Sequence, residues 1–138
     1  RYYNKIKTTV ESLNLKNVEL HPNIPFKKLV ELIGETKIFL HTYFQEDFGI
    51  APVEATAGGC IPVVPDYGGN METVPLQGCR YSTLRQAVKT IKSLHTQSNV
   101  QLNKIRKKLQ RYIRQFSKQN FKSKIMEEIT KCASLYLH

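Results

Sequence analysis

The chain has 138 residues, 21 Lys plus Arg against 11 Asp plus Glu, and 41% apolar side chains. That composition is globular, which excludes wholesale disorder, and no apolar run approaches the ~20 residues of a membrane span. Residues 1–4 look nothing like a signal peptide, and Cys60, Cys79 and Cys132 form no Cys-x-x-Cys pair, so reduced thiols in a cytoplasmic protein are expected and a zinc site has no spacing to rest on.

Along the chain, Tyr3, Ile6, Val10 and Leu13 recur at helical spacing and predict a helix over 2–13. Val18 to Leu20 is a short strand candidate closed by His21-Pro22-Asn23. Pro25 suits a first helical turn, and Leu29, Val30, Leu32 and Ile33 carry that helix to Gly34. Lys37 to His41 reads as a buried strand. The polar and aromatic loop Thr42 to Asp47 leads to Phe48-Gly49 and a helix ending at Gly58-Gly59. Ile61 to Val64 is a third strand, Asp66 to Gly69 a tight turn, and Asn70 is placed to cap a short helix through Val74. Arg80 to Ser82 is an edge strand. Three helical stripes follow: Leu84, Ala87, Val88, Ile91 and Leu94; Leu102, Ile105, Leu109, Tyr112, Ile113 and Phe116; and Phe121, Ile125, Ile129 and Cys132. Tyr112, Phe116 and Phe121 read as core. Strands alternating with helices imply a doubly wound, Rossmann-like α/β domain with a parallel sheet, flanking helices and a helical C-terminal tail from residue 99.

Charge is unevenly divided. Residues 1–72 carry seven bases and nine acids, whereas residues 73–138 carry fourteen bases and two acids, with none between Glu72 and Glu127. Nine bases fall between Lys104 and Lys124. An anionic partner (membrane lipid, nucleic acid or a phosphate-bearing ligand) is one expectation, and a solvated helix face is the other. His21, His95 and His138 show no ligand spacing and are assigned nothing.

In an open parallel sheet, ligands bind beyond the carboxyl ends of the strands. The loops His41 to Gly49 and Pro65 to Gly69 leave such ends, and both lead into helix starts whose free N–H groups suit a diphosphate. Glu46 and Glu54 bracket the first helix start, and a carboxylate accepts the paired hydrogen bonds that a vicinal diol of ribose or pyranose offers. Alone, two glutamates at this spacing also fit an ordinary surface. Joined to Phe48-Gly49, the glycine turns at 58–59 and 68–69, and Glu72, they become a strong signal of a ligand site.

The segment from Glu46 through Phe48-Gly49 to Glu54-Ala55 resembles the E-x7-E motif of the retaining glycosyltransferases of family 4, which have the two-domain GT-B fold. The resemblance continues through Ala57-Gly58-Gly59, Pro62-Val63-Val64 and Gly68 to Val74, and into the C-terminal helices at Phe116-Ser117. Asn23-Ile24-Pro25, Leu40-His41-Thr42 and Ile61 to Val64 are similar to the branch that extends lipid-linked oligosaccharides from GDP-mannose on the cytoplasmic membrane face. In most of the wider family residues 41 and 42 are Pro-Ser.

The resemblance implies transfer of a hexosyl group, mannose favoured, from a GDP- or UDP-linked sugar with retention. Glu54 would bind ribose hydroxyls. Glu46, the catalytic candidate, would contact the donor sugar and stabilise positive charge at its anomeric carbon. The backbone N–H groups of Phe48, Gly49 and Ile50 would hold sugar and diphosphate. Thr42 and His41 would line the pocket, and Gly68 and Gly69 would let backbone approach the ligand. No metal and no other cofactor is implied. Asp47 replaces the family's usual glycine and puts a second acid in the loop. The family's diphosphate-neutralising Arg and Lys, and its N-terminal acceptor-binding domain, come before the first helix seen here. The chain is thus expected to be a donor-binding half, inactive alone and acting with that domain or subunit. A glucosyl-transferring synthase of the same fold is the nearest alternative. A basic module binding nucleic acid or membrane is the other, and a nucleic-acid partner is not expected because it would leave the glutamates unexplained.

Overall fold

Three short apolar segments build the sheet that organises the larger part of the molecule. A computed structural model describes residues 1–136, so His138 lies outside the described residues. The chain divides into two compact units, Arg1–Leu32 and Ile33–His138.

In the first unit, helix α1 (Tyr2–Ser12) buries none of its residues and closes with the Leu13 N–H on the Thr9 carbonyl. Helix α2 (Phe26–Glu35) starts after Pro25, whose carbonyl accepts from Leu29 at 3.1 Å, and it runs across the boundary between the units. The expected strand at Val18 to Leu20 does not form. A three-residue run becomes a strand only when a neighbouring edge bonds its backbone, and among the described residues no ladder includes this one.

In the second unit, β1 (Ile38–Leu40), β2 (Ile61–Pro65) and β3 (Arg80–Tyr81) form a parallel sheet in that order. Ile38 pairs with Ile61 and Leu40 with Val63, while Val64 pairs with Arg80 and Pro65 with Tyr81. The first strand is shorter than the predicted 37–41. Its flanks still serve the ladder, because the Ile61 N–H reaches the Lys37 carbonyl (3.0 Å) and the His41 N–H reaches the Val63 carbonyl (2.9 Å). Pro62 and Pro65 lie in the central strand, all five residues of which are buried. The third strand stops one residue before the expected Ser82.

Helix α3 (Ile50–Ala57) follows β1, and α4 (Asn70–Thr73) follows β2. Gly58 and Gly59 end α3 as the sequence indicates: Gly58 N–H bonds the Glu54 carbonyl, and Gly59 turns left-handed at φ +98°. A Cβ at Gly58 would strike the Ile33 side chain, so this glycine also leaves room for it. After a 3-10 turn at Gln77–Cys79 come β3, α5 (Leu84–His95) and α6 (Asn99–Ile113). Thr83 caps α5 through the Gln86 N–H, and Ser98 and Gln101 form a reciprocal capping box on α6. Helices α3 and α6 pack on each other and on β2, while α5 packs on β2 and β3. The core comprises Ile61, Val63, Val64, Val74, Tyr81 and Leu109, with Ala87, Leu94 and Leu102 closing it from the helices. Each fully buried aliphatic chain of this kind contributes about 1.5–3 kcal/mol. Burial also pushes the Cys79 thiol up to about 11, so it stays protonated and packs as an apolar group.

Two predicted stripes differ from the structure. On α5, Leu84 and Val88 are exposed, so the buried line narrows to Ala87, Ile91 and Leu94. Helix α7 (Lys118–Tyr136) follows a 3-10 turn at Arg114–Phe116, and its entire predicted stripe of Phe121, Ile125, Ile129 and Cys132 is exposed. Phe121, at 64% exposure, is not a core residue. Helical periodicity there is real, but no described element covers it.

Candidate functional site

The crevice lies where β1 and β2 end, and the residues there are held by backbone contacts before any side chain is considered. Gly49 caps α3 at φ +88°, a left-handed conformation that a side chain would strain. A Cβ at this position would also press on the Thr73 hydroxyl at 3.0 Å. The loop after β2 reaches across: the Gly69 N–H donates to the Glu46 carbonyl at 2.7 Å. A Cβ on Gly68 would meet that same carbonyl at 2.5 Å, and one on Gly69 would collide with the backbone of Asp47 and Phe48. The sequence suggests that Gly68 and Gly69 admit a ligand. In the structure both glycines lie against the loop 46–48, the two loops touching backbone to backbone.

Glu46 sits in the middle of this arrangement, its side chain 26% exposed. Its Oε1 accepts from the Gly49 N–H at 3.2 Å and its Oε2 lies 3.1 Å from His41 Nε2. The carboxylate is therefore at the α3 helix start, where the helix dipole favours negative charge. Of the three N–H groups singled out from the sequence, Glu46 takes that of Gly49 and leaves those of Phe48 and Ile50. His41, predicted to line the pocket, faces Glu46; its own carbonyl accepts from the Tyr81 hydroxyl at 2.7 Å. Thr42 is exposed. Glu54, a turn and a half along α3, is exposed, and its side chain makes no ion pair or hydrogen bond among the described residues. Phe48 turns its ring edge-on to Phe116 at 5.2 Å, tying the helix start to the turn that precedes α7.

Asn70 does not act as the expected cap. The Gly68 turn places Gly69 in the cap position, so Asn70 becomes the first helical residue with its side chain fully buried. Its Nδ2 reaches the Tyr43 carbonyl at 3.5 Å, and its Oδ1 has no donor and faces Gly49. Arg80 Nε lies 3.1 Å from Asp66 Oδ1, an ion pair held by charge without a directed hydrogen bond. Tyr81, Asn70 and Thr73 all shape the site, yet none was singled out from the sequence for that role. Tyr81 is the one with a usable signal, a buried tyrosine at a strand end whose hydroxyl must find an acceptor. Among the described residues, no three His, Cys, Asp or Glu side chains converge.

With this geometry in place, comparison with known proteins decides the family. The family described as "Glycosyl transferases group 1" matches residues 1–116. This chain belongs to that family. Among curated relatives, the human protein named "GDP-Man:Man(3)GlcNAc(2)-PP-Dol alpha-1,2-mannosyltransferase" is 30% identical over 135 residues, covering 93% of this chain and 27% of that protein. The proteins of the same name from Xenopus laevis and Xenopus tropicalis are 42% and 44% identical over 52 residues, 38% of this chain and 11% of each relative. The chain spans about a quarter of the length of the human relative. No solved structure matches it significantly. As a member of the glycosyl transferases group 1, the chain has the Rossmann-like α/β fold that the strand–helix alternation indicates, with the helical tail in place.

Proposed function

We propose that this chain carries the nucleotide-sugar site of a retaining mannosyltransferase that uses GDP-mannose. The observation that supports the reading most directly is Glu46, held at the α3 start by Gly49 and His41, with Glu54 exposed further along the same helix. In this reading Glu54 accepts from the ribose hydroxyls. Glu46 turns its remaining lone pairs to the sugar and offsets the positive charge that develops at the anomeric carbon as the bond to the diphosphate breaks. The N–H groups of Phe48 and Ile50 receive the diphosphate, and no metal takes part. The acceptor is bound by a further domain or subunit. The names of the relatives, all mannosyltransferases acting from GDP-Man, favour mannose.

Calorimetric titration with GDP, UDP, GDP-mannose and UDP-glucose tests the reading. GDP-mannose is expected to bind best, and Glu54→Ala to weaken it by roughly ten- to a hundredfold, the loss of hydrogen bonds to a charged group. Equal affinity in the variant overturns the assignment of Glu54, and preference for UDP-glucose moves the reading to a glucosyl-transferring synthase.

We also propose that the tail rests on an anionic lipid surface on the cytoplasmic side. No helix of the described residues is long and apolar enough to cross a membrane. An open groove of about 550 Å³ is lined by Phe48, Phe116 and Phe121 and flanked by Lys118 and Lys124. The row Phe121, Ile125 and Ile129 continues it along α7. Arg106 is withdrawn from the basic block by its bond to the Gly59 carbonyl at 2.9 Å, but among the described residues the lysines of α7 before Glu127 make no ion pair. Co-sedimentation with phosphatidylserine vesicles is expected to fall on the order of a hundredfold when Lys118, Lys122 and Lys124 are changed to Gln, and to weaken with salt. Binding that ignores both changes overturns it.

A further inference from the structure

We infer that His41 is a positioning residue that fixes the Glu46 carboxylate and does not itself hold the donor. Both backbone groups of His41 are anchored, its N–H on the Val63 carbonyl at 2.9 Å and its carbonyl under the Tyr81 hydroxyl at 2.7 Å. Its ring is 87% buried, and Nε2 points to Glu46 Oε2 at 3.1 Å. An ionised carboxylate only accepts, so Nε2 carries the proton in this contact. Glu46 is pinned at its carbonyl by the Gly69 N–H, which leaves its three side-chain torsions as the one free part. Gly49 alone fixes one oxygen and lets the carboxylate turn about that contact. His41 fixes the other oxygen and sets the plane, so the unused lone pairs of both oxygens are directed together. A histidine that bound the donor through Nε2 would have to leave Glu46 first. The consequence for sugar binding rests on the proposed function; the His41–Glu46–Gly49 geometry does not.

The test uses His41→Ala and His41→Gln, the latter because its amide nitrogen reaches the place of Nε2. The first readout is the Gly49 amide by NMR without ligand. His41→Ala is expected to shift that resonance and speed its exchange about tenfold, and His41→Gln to restore most of both. The second readout is GDP-mannose affinity, expected to fall five- to tenfold in His41→Ala and to be rescued in His41→Gln. In the Glu46→Gln background, His41→Ala is expected to cost little further, because the residue acts through Glu46. An unchanged Gly49 amide in His41→Ala overturns the inference, as does a full additional loss in the double variant. If His41→Ala does not fold, His41→Asn, whose amide is too short to reach Glu46, replaces it. Failure of the wild-type chain to bind any nucleotide sugar would refute the donor-site reading, while the Gly49 amide would still decide the role of His41.

Discussion

Gly69→Ala is expected to destabilise the chain by about 3 kcal/mol and to abolish nucleotide-sugar binding. Backbone strain is not the cause, because Gly69 has an ordinary helical φ of −60°. The added methyl meets the carbonyl of Asp47 and the Cα of Phe48, and atoms of the main chain cannot rotate away as a side chain would. The loop 46–48 must move outward, which breaks the Gly69 N–H bond to Glu46 and carries Glu46 away from Gly49. Overpacking of a tight contact typically costs 1–3 kcal/mol, and backbone-only clashes fall at the upper end. For a chain of this size the melting temperature should drop on the order of 10 °C. Thermal melting and GDP-mannose titration on the same samples check both parts; a variant within a degree of wild type would show that the loops are not in close contact.

Tyr81 separates packing from polar anchoring. Its side chain is fully buried, meets Phe44 edge-on at 5.8 Å, and gives its hydroxyl to the His41 carbonyl. Tyr81→Ala is expected to cost about 3–5 kcal/mol, as large aromatic truncations in cores do. Tyr81→Phe keeps the ring and is expected to cost about 1–2 kcal/mol, the penalty of a carbonyl left without its donor. The smaller change should nevertheless weaken GDP-mannose binding, because His41 and hence Glu46 lose an anchor. Urea unfolding gives the two stabilities. If Tyr81→Phe matched wild type in both stability and binding, the hydroxyl would have no part in holding the site.

Much of this was legible along the chain because it is local. The apolar run at 61–64, the double glycine that ends α3 and the apolar lines of α5 and α6 follow from patterns a few residues long. The E-x7-E segment is likewise contiguous, so the positions of Glu46 and Glu54 on one loop and helix could be read directly. What could not be read is long-range. Gly68 and Gly69 are small because a loop twenty residues earlier lies against them, and no local pattern encodes which backbone will arrive there. Asn70 missed its predicted cap because the left-handed turn at Gly68 puts Gly69 in the cap position. On α7 the periodicity correctly gives a helix with an apolar side, but periodicity says nothing of what the side meets.

The hydrogen bonds between β1 and β2 advance two residues at a time. Ile61 donates to Lys37, and the next β1 acceptor past the strand, the His41 carbonyl, falls to residue 65 by the same step. Residue 65 is proline and has no proton to give. The zipper between the two strands therefore runs out one tooth early, and the neighbour that pairs with Pro65, Tyr81, fills the gap from the opposite edge with its hydroxyl. A single missing hydrogen thus transfers control of a crevice residue from the backbone to a side chain. The end of the sheet becomes a place where the hydroxyl of one aromatic residue, and not the ladder, holds the site.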